Sequence, residues 1–171
     1  MTQTHIAERL VSLYHVGAHG EDWYDSAQLT CQGMADELGL TLDTVAGIVS
    51  ALSPRVRWAK NIEYARRFAQ GEHVPVFRTS RAKAQRILDG EAPLDVLSGP
   101  KTRAFFNNLT GDLRHVTVDV WALRAVGETR KPTGKVYEEV SALYREAAEM
   151  LGVAPAMMQA AVWTAVRGSA E

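Results

Sequence analysis

Tyr137, Val140, Tyr144, Ala147 and Leu151 follow one another in steps of three and four, a spacing that puts all five on one face of an α-helix. A strand would scatter the same residues over two faces. Gly152 stands where that helix must stop, and Pro155 suits the first turn of a last helix running to about Arg167. Leu42, Val45, Val49 and Leu52 make a second stripe, with Thr41 as its cap and Ser53-Pro54 as its end. Arg81 to Leu88 reads as a short helix stopped at Gly90. Pro93 opens another that ends at Ser98-Gly99-Pro100, and Lys101 to Leu109 is helical through Phe105, Phe106 and Leu109. Residues 71 to 79 read as a connection. Val116 to Trp121 alternates as a strand would, yet no partner strand is evident and isolated pairs are marginal. It reads instead as an extended entry into a helix beginning near Asp119. The expected fold class is all-α.

With 171 residues and 46% hydrophobic side chains, the chain suits one globular domain, 1–171, with a sizeable core. The formal charge of −1 lacks the strongly basic field of a nonspecific nucleic-acid binder, so any such binding needs a local basic face. One helix supplies a candidate. Trp58, Ile62, Ala65 and Ala69 share a face there, while Arg55, Arg57, Lys60, Arg66 and Arg67 oppose the single acid Glu63. Cys31 is the only cysteine, which excludes internal disulfides and thiolate clusters and fits a reducing cytoplasm. Met1 to Tyr14 has neither the charged start and apolar core of a signal peptide nor the length of a membrane span. A soluble cytoplasmic protein with no membrane partner is expected.

Several chemistries find no support. His5, His15, His19, His73 and His115 are too scattered for a metal set, so no metal is expected. No Walker loop or dinucleotide fingerprint occurs, and no cofactor is expected. Asp119 is the conspicuous residue. Within Val116-Thr117-Val118-Asp119-Val120-Trp121, an acid among apolar neighbours is either paired or catalytic, and a helix cap explains its place as simply as chemistry does.

The order of these features resembles the helix-hairpin-helix DNA glycosylase superfamily, which includes endonuclease III, over roughly residues 42 to 127. Leu52-Ser53-Pro54-Arg55 is similar to the helix end and DNA-probing loop of that group. Leu97-Ser98-Gly99-Pro100-Lys101-Thr102 resembles its hairpin, and Val118-Asp119 its helix-opening acid. The hairpin is shortened, with one glycine where two are usual, Trp121 replaces a common histidine, and the iron-sulfur cysteines are missing. Leu52 to Arg55 with Trp58 and Asn61, and the late Gln159 to Trp163 with Arg167, also look like small phage-encoded members, some linked to thymine hypermodification.

The resemblance implies a two-lobed helical fold and a DNA partner. It implies Asp119 as the catalytic acid, with Lys101 as a possible amine nucleophile. Arg55, Arg57, Lys60, Gly99, Thr102 and Arg103 would contact DNA, and Trp58, Asn61, Trp121, Gln159 and Trp163 would form the pocket of a flipped base. Cleavage of the base–sugar bond is the first expectation. The alternatives are amine transfer onto an activated thymine substituent, where Asp119 would deprotonate the amine, and a DNA-binding module or inhibitor without catalysis.

Overall fold

The computed structural model describes residues 2–168 and is all-α: no strand occurs among the described residues. The helices are α1 (Gln3–Gly17), α2 (Trp23–Leu38), α3 (Leu42–Leu52), α4 (Trp58–Ala69), α5 (Arg78–Leu88), α6 (Pro93–Val96), α7 (Pro100–Leu109), α8 (Val120–Ala125), α9 (Gly134–Leu151) and α10 (Pro155–Arg167). They fall into two compact units, one of residues 2–26 with 111–168 and the other of residues 27–110.

In the first unit α10 packs against α1, α8 and α9. Its contact with α1 is close because glycine allows it. A Cβ added at Gly17 would lie 1.8 Å from the Ala161 carbonyl oxygen and 2.7 Å from the Ala165 nitrogen, both backbone atoms that cannot yield. The α9 stripe is buried at Tyr137, Val140, Tyr144 and Ala147, while Leu151, at the last turn, is only half-covered. Gly152 then ends α9 in the left-handed region at φ 67°, its amide donating to the carbonyls of Ala148 and Glu149. The Ala156 amide, in the first turn of α10, donates to the Leu113 carbonyl at 3.0 Å and ties that helix to the segment leading into α8.

The second unit is built on α3, which touches α4, α5, α6 and α7 and is buried continuously from Val45 to Leu52. Thr41 caps it by accepting the Thr44 amide at 3.1 Å. The buried face of α4 is Asn61, Ala65 and Phe68, one position removed from the expected Ile62 and Ala69. The phenyl ring of Phe68 offers far more apolar area than the methyl of Ala69, so the helix turns to cover it. Trp58 and Ile62 remain at the half-buried edge. Helix α5 starts at Arg78, three residues before its expected start. Between α6 and α7 the chain turns at Gly99, φ 85°, with Pro100 at the head of α7. No helix among the described residues is long and apolar enough to cross a membrane.

These packings separate two helical glycines. Gly17→Ala should lower unfolding free energy by about 3 kcal/mol through overpacking. Gly33→Ala in α2, where an added Cβ meets nothing within 4 Å, should instead gain roughly 0.5–1 kcal/mol from helix propensity. Thermal and urea unfolding followed by circular dichroism would read both.

Candidate functional site

Asp119 ends a buried extended segment, Val116 to Val118, and begins a helix. Its Oδ1 accepts the Ala122 amide at 2.8 Å, so the expected cap is present, and the residue is half-buried. What surrounds it is more elaborate than a cap requires. The Tyr137 hydroxyl donates to the Val116 carbonyl at 2.5 Å and accepts the Val118 amide at 3.0 Å, gripping the segment from both sides of Thr117. The Tyr144 hydroxyl donates to the carbonyl of Ala122, the same residue whose amide Asp119 holds, at 3.1 Å. Tyr24 donates to Gln159 Oε1 at 2.6 Å, and Thr117 hydrogen-bonds the Tyr24 hydroxyl.

All three phenols resist ionisation. Burial pushes Tyr137 up to about 12 and carries Tyr24 and Tyr144 well above the ordinary tyrosine value, and the negative charge of Asp119 adds to each shift. They therefore remain neutral donors beside an acid. The sequence marks Tyr137 and Tyr144 as core and is silent on Tyr24 and Thr117; a hydroxyl's partner leaves no periodic trace.

The expected base-pocket residues divide between the units. Trp121, Gln159 and Trp163 share a unit with Asp119, and Gln159 reaches its neighbourhood through Tyr24. Arg124 lies over the Trp121 ring at 4.9 Å, and Arg167 over the Trp163 ring at 4.8 Å, each leaving a half-buried indole faced by a cation. Trp23 stands 6.4 Å from Trp163. Trp58 and Asn61 belong to residues 27–110. There Trp58 meets the Phe105 ring edge-on at 6.4 Å, and Asn61 is buried with its Oδ1 unpartnered.

The expected DNA contacts all lie in that second unit. Arg55 is exposed at φ 59°, the one non-glycine residue with positive φ among the described residues, a conformation costing an L-residue roughly 1–2 kcal/mol. Arg55, Arg57 and Lys101 are exposed and form no ion pair among the described residues, whereas Lys60 pairs with Glu63 at 2.9 Å. Thr102 and Arg103 brace the turn from within. The Thr102 hydroxyl donates to the Ser98 carbonyl at 2.8 Å, and Arg103 donates to the carbonyls of Leu94 and Leu97. Pro100 has no N–H, so the turn at Gly99 offers one amide fewer than a second glycine would. Among the described residues no three His, Cys, Asp or Glu side chains gather as a metal would need. Cys31 is buried, and burial pushes its thiol up to about 12, which leaves it inert at neutral pH.

The tyrosine cluster makes a pH prediction. A group whose folded pKa is raised contributes stability below its unfolded value, near 10, and loses it as pH rises through the folded one. The fold should hold its full tyrosine contribution up to about pH 10 and weaken as Tyr137 passes about 12. Ultraviolet titration of phenolate should show Tyr24, Tyr137 and Tyr144 ionising with unfolding and not before it.

No curated protein and no solved structure matches the chain. A family match does cover it, under the description "Family of unknown function (DUF7178)", across residues 2–170. The chain therefore belongs to that family.

Proposed function

We propose that this protein is an enzyme of glycosylase type that acts on DNA bases, with Asp119 at the reacting centre. The observation that carries the reading is the bracing of Asp119. A cap alone needs one amide, and here the backbone on both sides of the acid is held by buried phenols that stay neutral. Such fixed polar groups are what stabilisation of a developing charge requires, because they need no reorganisation when the charge appears.

The chemistry follows from charge. As the base leaves, the sugar becomes cationic, and a carboxylate fixed beside it lowers the barrier and orients the incoming water. Half-buried Trp121 and Trp163 offer ring faces to an extruded base, offsetting part of the few kcal/mol that flipping costs. The exposed cations Arg55, Arg57 and Lys101 suit phosphate oxygens, each contact making affinity fall with salt. Lys101 serves as such a contact in this scheme, since its exposure gives none of the desolvation that activates an amine nucleophile.

The decisive variant is Asp119→Asn. Asparagine caps a helix as well as aspartate does, so stability should change by less than about 0.5 kcal/mol. Removing the charge should lower base release by at least about 10²-fold, with DNA affinity retained. Purified protein is incubated with duplexes carrying assorted damaged or modified bases and then treated with alkali to reveal abasic sites. Absence of strand breaks with the wild-type protein on every duplex, or equal cleavage by the variant, would defeat the reading.

A further inference from the structure

Gln159 stands on α10 four residues before Trp163, so the two share a face of that helix, and Gln159 is only 4% exposed. Its carboxamide is held at one end. The buried Tyr24 hydroxyl donates to Oε1 at 2.6 Å. A phenol has one proton to give, and Thr117 meets the same oxygen as a donor, since its hydrogen bond eases ionisation of Tyr24. The atom that takes the Tyr24 proton is therefore the amide oxygen, and the amide nitrogen is turned the other way.

That nitrogen has no task within the fold. Among the described residues three side-chain polar atoms are sealed from solvent without a partner: Ser50 Oγ, Asn61 Oδ1 and Ser141 Oγ. Gln159 Nε2 is not one of them, and it donates no hydrogen bond to any described residue. It is thus the accessible tip of a covered side chain, with its N–H donors fixed in direction and unspent. The phenols nearby are already committed, Tyr24 to Gln159, Tyr137 to the Val116 carbonyl and Tyr144 to the Ala122 carbonyl. Asp119 lies close enough for its charge to act on Tyr24, and its carboxylate offers only acceptors. Gln159 Nε2 is the complementary donor.

A donor held in one orientation selects an acceptor. Uracil and thymine carry a carbonyl oxygen where cytosine carries an amino group, and guanine differs from adenine in the same way. A carbonyl receives the Nε2 hydrogen, whereas an amino group sets hydrogens against hydrogens and leaves donors unpaired in a covered site. A free glutamine would turn over and offer its oxygen instead. Tyr24 prevents that turn. Resting on the reading of this site as one that receives an extruded base, we infer that Gln159 selects keto bases, the uracil, thymine and guanine class, with Tyr24 as the positioning residue that orients it. Trp163, on the same face of α10, supplies the ring on which that base stacks.

The test reads binding, not base release. Short duplexes carry one 2′-fluoroarabino nucleotide, whose fluorine disfavours a cationic sugar and so preserves the base, with uracil or cytosine at that position. A second pair, thymine against 5-methylcytosine, repeats the comparison with a methyl group present. Affinities are measured by fluorescence anisotropy for the wild-type protein, Gln159→Glu and Tyr24→Phe, each shown to be folded by circular dichroism. The keto member of each pair should bind the wild-type protein at least about tenfold more tightly. Gln159→Glu keeps the side-chain shape and an acceptor for Tyr24 but replaces the donors, and should abolish or reverse the ratio. Tyr24→Phe keeps Gln159 and frees it to turn, and should lower the ratio to about threefold or less. The ratio within one protein cancels the effect of added charge on DNA affinity as a whole. Equal wild-type affinities within both pairs, or an unchanged ratio in Gln159→Glu, overturn the selection by Gln159, and an unchanged ratio in Tyr24→Phe overturns the orienting role of Tyr24. Failure to bind any duplex would defeat both this selection and the reading it rests on, whereas equal binding within each pair defeats the selection alone.

Discussion

The two hydrogen bonds of the Tyr137 hydroxyl hold the first unit's polar centre together. One oxygen donates to the Val116 carbonyl and accepts the Val118 amide, so a segment outside any helix has its backbone groups satisfied by a side chain. Without that oxygen, an amide and a carbonyl would be buried without partners, at roughly 1–3 kcal/mol each. The bonds also fix direction. Val118 leads into Asp119, whose Oδ1 must meet the Ala122 amide, and the Ala122 carbonyl is taken in turn by Tyr144, one helical repeat of seven residues beyond Tyr137 on α9. The acid is thus positioned by α9, through two hydroxyls on one stripe.

That arrangement explains what the sequence discloses and what it hides. The stripe of α9 is legible because burial of apolar area repeats with the helical period, and Gly152 and Pro155 mark ends through backbone conformation alone. Thr41 and Asp119 are legible as caps because a side-chain oxygen serves an amide three residues away, an interaction local in sequence. The partners of Tyr24, Tyr137 and Tyr144 are 19 to 135 residues distant, and nothing local encodes them. On α4 periodicity alone misplaces the buried face by one position, since Trp58, Ile62 and Phe68 compete and the packing decides. Helix α1 leaves a readable stripe at Ala7, Leu10, Tyr14 and Gly17, but two of its four members are small. Closeness to α10, not hydrophobicity, is what they encode.

The tyrosine hydroxyls around Asp119 are matched, but each unit also buries unpartnered polar atoms: Ser141 Oγ in the first, Ser50 Oγ and Asn61 Oδ1 in the second. The second unit also holds a strained residue, Arg55 at φ 59°, directly after Pro54. Strain and unmatched polar atoms in a folded domain are stabilised by packing elsewhere, here the continuous burial of α3 from Val45 to Leu52.

Capping and chemistry are usually set against each other as explanations of an acid such as Asp119, but the geometry makes them compatible. The cap is a single bond to Oδ1, and a carboxylate carries two oxygens. An ionised carboxylate is the form that suits a helix start, and it is also the form that stabilises a cationic sugar. The cap also removes the freedom of the side chain, which a reacting group would otherwise lose at the moment of reaction. Tyr24, Tyr137 and Tyr144 add the complementary constraint. Their hydroxyls donate to Gln159 and to the carbonyls of Val116 and Ala122, which fixes the backbone on both sides of Asp119. A cap needs only the one amide, whereas a group positioned for chemistry also needs the backbone that carries it to stay in place.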